Sequence, residues 1–137
     1  MYEEDYFMKL IQEFFQALDK AIHGKKSLDN PSDQENCVSD LYGSYFQADS
    51  AFFYGYDVMT ILGFLRERCE EQDLPMMIEM ISELFYQDAL LKTDDALKNN
   101  LLEKALFFLS YLDEQSDTYS VERKDKIALI KRMLGRE

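Results

Sequence analysis

Apolar side chains recur at steps of three and four residues along most of this chain, and that spacing permits few architectures. Tyr6, Phe7, Leu10, Ile11, Phe14, Leu18, Ala21 and Ile22 fall on one stripe of a helix. Val38, Leu41, Tyr42, Tyr45 and Phe46 form a second stripe, and Val58, Ile61, Leu62, Leu65 and Cys69 a third. Met77, Met80, Ile81, Leu84 and Phe85 make a fourth. A helix with one apolar stripe needs a neighbour to cover it. The pattern therefore predicts an all-α fold: about six helices packed as antiparallel hairpins, in an array or a bundle, with residues 1–137 as a single domain.

Punctuation sets the expected boundaries. Gly24 follows His23 directly, so the first helix is expected from Tyr2 to His23 with a left-handed glycine stop. At that helix end, His23 reads as a partner for the helix dipole. GKKSLDNPSD, residues 24 to 33, reads as a loop, and Ser32 or Asp33 as the cap of the second helix. The stretch ADSAFFYGYD combines aromatic strand propensity with helical flanks and reads as an irregular junction or helix start. Pro75 belongs in the first turn of the fourth helix. Thr93, Asp94 and Asp95 suit the start of a fifth, roughly Asp94 to Gln115. Its Leu97, Leu101, Leu102, Ala105, Leu106, Phe108, Leu109 and Leu112 cover more than a narrow stripe, which places it in the middle. The last helix, about Val121 to Leu134, should be capped by Ser120, stapled by Tyr119 against Ile127 or Ala128, and stopped by Gly135.

The N-terminal EEDYFMKLIQEF and the C-terminal EKALFFLSYLDEQSDTYSVERKDKI resemble an uncharacterised family of small all-helical bacterial proteins with a tetratricopeptide-like helical-hairpin fold. The resemblance covers about half of the chain, at its two ends. It implies that fold and a bacterial, intracellular setting, and it brings no catalytic residue with it. The tetratricopeptide period of about 34 residues is not followed, so hairpins without a repeating sequence are expected.

Charge and composition exclude several chemistries. A net charge of -12 opposes binding to phosphate backbones, so no nucleic-acid partner is expected. The apolar runs are far shorter than the ~20 residues that span a bilayer, so no membrane partner is expected either. The N-terminus carries three acids before its first lysine, unlike a secretory signal, and a cytoplasmic location is expected. Cys37 and Cys69 stand 32 positions apart with no further ligand near either, which suits buried free thiols rather than a zinc or dithiol site. His23 is the only histidine, and Glu-x-x-His, Gly-x-Ser-x-Gly and phosphate-loop patterns are all missing. No enzyme activity, metal or cofactor is expected.

One segment is unusual. Residues 27 to 65 contain Asp29, Asp33, Glu35, Asp40, Asp49 and Asp57 and not one Lys or Arg, whereas residues 120 to 137 hold six bases against three acids. Inside the base-free segment, residues 42 to 56 hold seven aromatics, which one helix face cannot turn inward together. Two readings stay open: ordinary core rings, or a surface. Aromatic faces beside carboxylates attract ammonium and guanidinium groups, and tyrosines serve as interface anchors. Tyr42, Tyr45, Phe46, Asp49, Phe53, Tyr54, Tyr56 and Asp57 are the candidate interaction surface. The expected function is a non-enzymatic helical interaction or scaffold module for a partner protein, with self-association through opposite charges as one form. The alternative is an aromatic, acid-lined pocket for a small ligand or cationic peptide, built on Tyr42, Tyr45, Tyr54 and Tyr56 with Asp49 or Asp57.

Overall fold

Local signals set most of the helix limits in a computed structural model that describes residues 2–24 and 30–136, the side chains of residues 2–5 excepted. Among the described residues the order is α1 (Tyr2–His23), α2 (Pro31–Phe46), α3 (Ser50–Gly55), α4 (Val58–Glu67), a 3₁₀ turn (Glu71–Asp73), α5 (Leu74–Leu91), α6 (Asp95–Gln115) and α7 (Val121–Met133), with no strand. The loop expected over residues 24 to 33 falls partly on 25–29, outside the described residues.

Capping explains the starts. Asn30 Oδ1 accepts the Ser32 N–H at 3.0 Å, and Pro31 is the first helical residue of α2. The cap therefore lies before Ser32 and Asp33, because proline has no N–H to lose and its fixed φ can open the helix. Asp49 and Asp57 accept from Phe52 and Thr60 N–H groups, so the ambiguous ADSAFFYGYD stretch is a short helix between two aspartate caps. Asp94 and Ser120 cap α6 and α7 through the Leu97 and Arg123 N–H groups.

Three different backbone constraints end helices. A Cβ at Gly24 would sit 2.3 Å from the Lys20 carbonyl oxygen, so close approach to the last turn is what requires glycine there. Left-handed backbone is found at Gly135, φ 77°, where Arg136 N–H reaches Lys131 O at 2.7 Å and Gly135 N–H reaches Arg132 O at 3.0 Å. Gln47, after α2, also adopts φ 63°, which costs a non-glycine residue roughly 1–2 kcal/mol.

The helices pair as antiparallel neighbours. Phe14, midway along α1, meets Tyr45 and Phe46 at the end of α2, while Gln34 at the start of α2 donates to Ile22 O near the end of α1. Residues 92–94 alone join α5 to α6, which forces a hairpin. Late in α6, Asp113 binds Arg123 and Lys124 at the start of α7, whereas Arg136 beyond α7 returns to Glu103. Of array and bundle, the packing is a bundle: α5 touches α1, α2, α4 and α6.

The helix at residues 95–115 was expected to be the central one, but α5 is the more enclosed. Besides its stripe, α5 buries Leu74, Ile78, Ser82, Tyr86, Asp88 and Ala89. Ser82 is tolerated inside because its hydroxyl donates to Ile78 O at 2.7 Å. A relay of rings runs through the bundle: Phe46 to Phe53 at 6.0 Å, Phe53 to Tyr42 at 5.2 Å, Tyr42 to Phe85 at 6.0 Å and Phe85 to Phe108 at 6.2 Å. Such pairs add about 0.5–1.5 kcal/mol each beyond burial.

Helix α7 fully buries only Ile130, rests Ile127, Leu129 and Met133 half-buried against the core, and is also held by charge. Arg123, Lys124, Lys126 and Arg136 pair with Asp113, Glu83 and Glu103, so four of the six bases after residue 120 are neutralised within the chain. Tyr119 is 69% exposed with its ring 5.4 Å from Lys124 Nζ, and does not form the expected staple, since Lys124 and Asp125 give it no apolar partner. Cys37 is exposed, contrary to expectation, while Cys69 is half-buried. Replacing Ser120 by Ala should cost about 0.5–2 kcal/mol in urea unfolding, through the lost Arg123 N–H partner.

Candidate functional site

The eight residues of the aromatic, acid-rich segment are divided by the fold. Tyr42, Phe46 and Phe53 are wholly interior, where they form the ring relay. Asp49 and Asp57 are exposed and engaged as helix caps. Tyr45 is half-buried against Phe14 at the end of α2, whereas Tyr56 is 54% exposed at the end of α3. The tyrosines at 42, 45, 54 and 56 therefore do not converge on one pocket.

What holds the segment is a buried carboxylate from outside it. Asp88 of α5 is completely buried, and its Oδ2 accepts hydrogen bonds from the hydroxyls of Tyr42 at 2.9 Å and Tyr54 at 2.5 Å. Its Oδ1 accepts no directed hydrogen bond, but Lys92 Nζ lies 3.2 Å away as an ion pair. Lys92 also reaches Glu35 of α2 at 2.9 Å. Burial works against the Lys92 charge, yet hydrogen bonding with Tyr54 and Glu35 and the field of Asp88 outweigh it and raise its pKa above the ordinary lysine value. Burial, reinforced by Asp88, raises the Tyr42 pKa well above the usual phenol range. The same causes push Tyr54 up to about 12.

A second buried cation serves the same segment. Lys104 of α6 is only 6% exposed and donates to the carbonyls of Phe53 at 2.7 Å and Tyr54 at 3.0 Å. These carbonyls belong to the last turn of α3 and lack helical partners, so the ammonium closes that end. Burial lowers the Lys104 pKa, with Asp57 partly offsetting it. Neither Asp88 nor Lys104 was singled out from sequence, although each sits on an apolar row: Asp88 four residues after Leu84, and Lys104 four before Phe108.

Two of the clefts in the surface are lined by residues of this segment. One, of about 520 Å³, lies where α3 and α4 meet α6 and is lined by Tyr56, Asp57, Val58, Lys104 and Phe107 among others. Met59, 62% exposed, stands beside it in sequence, and Phe52 and Phe64 support Tyr56 through ring contacts of 4.9 and 4.6 Å with Phe52. The other, of about 300 Å³, lies between the start of α1, the end of α2 and the link from α4 to α5, and has Phe7, Leu10, Tyr45, Phe46, Arg68 and Asp73 in its wall. Among the described residues no group of three or more His, Cys, Asp and Glu side chains is placed to hold a metal ion, and no helix is long and apolar enough to cross a membrane.

The buried network generates two expectations. Lys92→Met should cost about 3–5 kcal/mol because it leaves Asp88 buried without its cation, and adding Asp88→Leu, Tyr42→Phe and Tyr54→Phe should recover most of that loss in urea unfolding. The pH dependence follows from Tyr54, whose pKa is 10.0 ordinarily and about 12 in the fold. Below the lower value the proton is held in both states. Between the two values the unfolded chain releases it first, so the Tyr54 contribution to stability should fall as pH rises through that window and be lost above it. Lys92, also raised, adds to the fall, while Lys104, lowered, opposes it. Tyr54→Phe should flatten the alkaline slope measured by urea midpoints.

Compared with known proteins, the chain matches no family model, and neither a curated protein nor a solved structure gives a significant match, so its function rests on this geometry.

Proposed function

We propose that this chain is a non-enzymatic helical interaction module whose α3–α4 corner receives a partner protein segment carrying both basic and apolar side chains. The observation that carries the reading is Tyr56, a large ring 54% exposed in the wall of an open cleft of about 520 Å³, with Met59, 62% exposed, following in the first turn of α4. Exposed apolar groups clustered beside a concavity are a common mark of an interaction site.

Charge selects the partner. The α3 residues and the start of α4 at the corner come from the segment that contains no Lys or Arg, the Lys104 in the cleft wall is buried and bonded to the Phe53 and Tyr54 carbonyls, and the carboxylates of Asp49 and Asp57 remain exposed although they cap helices. A basic partner would be steered to such a surface, and a ring face such as that of Tyr56 contributes roughly 0.5–1 kcal/mol to an exposed cation. Self-association through the basic last helix is less favoured, because three of its bases and Arg136 just beyond it are already paired within the chain.

The experiment is a panel of helical peptides varied in basic and apolar content, titrated against the protein and read by fluorescence anisotropy. Basic, apolar-anchored peptides should bind, affinity should fall with salt, and Tyr56→Ala with Met59→Ala should weaken it about tenfold or more, as for interface anchors. Acidic peptides binding equally well, or the double variant binding unchanged, would remove this reading.

A further inference from the structure

The smaller cleft has a different chemistry from the α3–α4 corner and is independent of it. Its floor is apolar: Phe7 and Leu10 come from α1, Phe46 from the end of α2 and Met77 from the start of α5. Phe46 and Met77 are buried, so this floor is part of the core and does not depend on a loop for its shape. The volume of about 300 Å³ is at the small end of ligand pockets, suited to a metabolite-sized molecule rather than a folded partner.

The rim carries both signs of charge, held apart. Arg68 is fixed over the Phe64 ring, its guanidinium carbon 3.4 Å from the centroid, and its Nη1 donates to Phe64 O at 3.2 Å. Glu70 is held by Gln72, whose Nε2 donates to its Oε2 at 2.7 Å. Asp73 stands at the N-cap position of α5 but, unlike Asp49, Asp57 and Asp94, makes no capping bond. Among the described residues, no ion pair joins Arg68 to Glu70 or Asp73, although all three line the same small cavity. Other contacts fix two of the three, Arg68 on Phe64 and Glu70 on Gln72.

We infer that this cleft binds a small zwitterion with an apolar side chain, a free amino acid or very short peptide. Its carboxylate meets Arg68, its ammonium meets Asp73 and Glu70, and its side chain rests on Phe7, Leu10, Phe46 and Met77. A guanidinium suits a carboxylate because it presents paired donors in one plane, and here its stacking on Phe64 has already fixed that plane. An ammonium with three donors suits two carboxylates at the opposite rim. A ligand with only one of these charges would leave the other side of the rim unsatisfied as it displaced water from it.

The test uses three probes that share one ring: L-phenylalanine, phenethylamine with the ammonium alone, and 3-phenylpropionate with the carboxylate alone. Titrations are followed by backbone amide shifts, with Tyr45, Cys69 and Met77 as reporters. L-phenylalanine should give saturable shifts at these three positions and bind at least tenfold more tightly than either half-molecule. Arg68→Gln should weaken L-phenylalanine about tenfold and leave phenethylamine unchanged, and Asp73→Asn should do the converse with 3-phenylpropionate unchanged. Both positions are on the rim, and unchanged amide spectra of the free variants will show that they fold. Either half-molecule binding as well as the zwitterion, shifts confined to other parts of the bundle, or no saturable shift would overturn the inference. None of these results would bear on peptide binding at the α3–α4 corner, which the Tyr56 and Met59 substitutions address.

Discussion

A single buried carboxylate sets the terms for the centre of this fold. Asp88 lies in the last turns of α5, where helix carbonyls already make the surroundings negative, so its burial is costly twice over. The fold meets that cost with two phenol donors and one ammonium, drawn from α2, α3 and the residue just beyond α5. Each donor must arrive with its hydroxyl or amine at one point. The register of α2 and α3 on α5 is thereby fixed more narrowly than apolar packing alone would fix it. Rings that also stack on Phe53 and Phe85 cannot rotate away without giving up that bond.

This use of tyrosine decides what is left for the surface. Tyr42 and Tyr54 are committed to Asp88, and Phe46 and Phe53 to the ring relay, so the aromatic wealth of residues 42 to 56 is spent mainly on the interior. Tyr45 and Tyr56 remain, and they face different clefts. One cleft is broad and bordered by a base-free acidic stretch. The other is small and carries charges of both signs. The two suit different kinds of ligand.

The sequence reveals local features well. Helix ends at His23 and Gln115, the Ser120 cap and the Gly135 stop are all legible, because each depends on a few neighbouring residues. The cap at Asn30 is displaced by a single feature, a proline suited to the first helical position. What is not legible is which rings go inside, since Tyr42 and Tyr45 occupy the same stripe and differ only in what lies 46 positions away from one of them. A signal for the missed residues does exist in the pattern. Asp88 and Lys104 stand where an apolar residue is due, in the two helices that bury the most side chains, and a charge in such a place must be met by partners from elsewhere in the chain. The helix at residues 95–115 does have neighbours on several sides, as its wide apolar surface predicts, but α5 is more enclosed because it carries a second apolar face beyond its stripe.

The absence of bases between residues 27 and 65 has a bearing on the order of events as the chain is made. The buried cations that meet this segment, Lys92 at Glu35 and Lys104 at the end of α3, lie well downstream. A nascent chain extended only through α4 has neither the carboxylate that aligns its tyrosines nor the ammonium groups that neutralise it. The first four helices can form locally in that state, but their final arrangement waits for α5 and α6. The native arrangement of α2 and α3 thus depends on side chains from the second half of the chain.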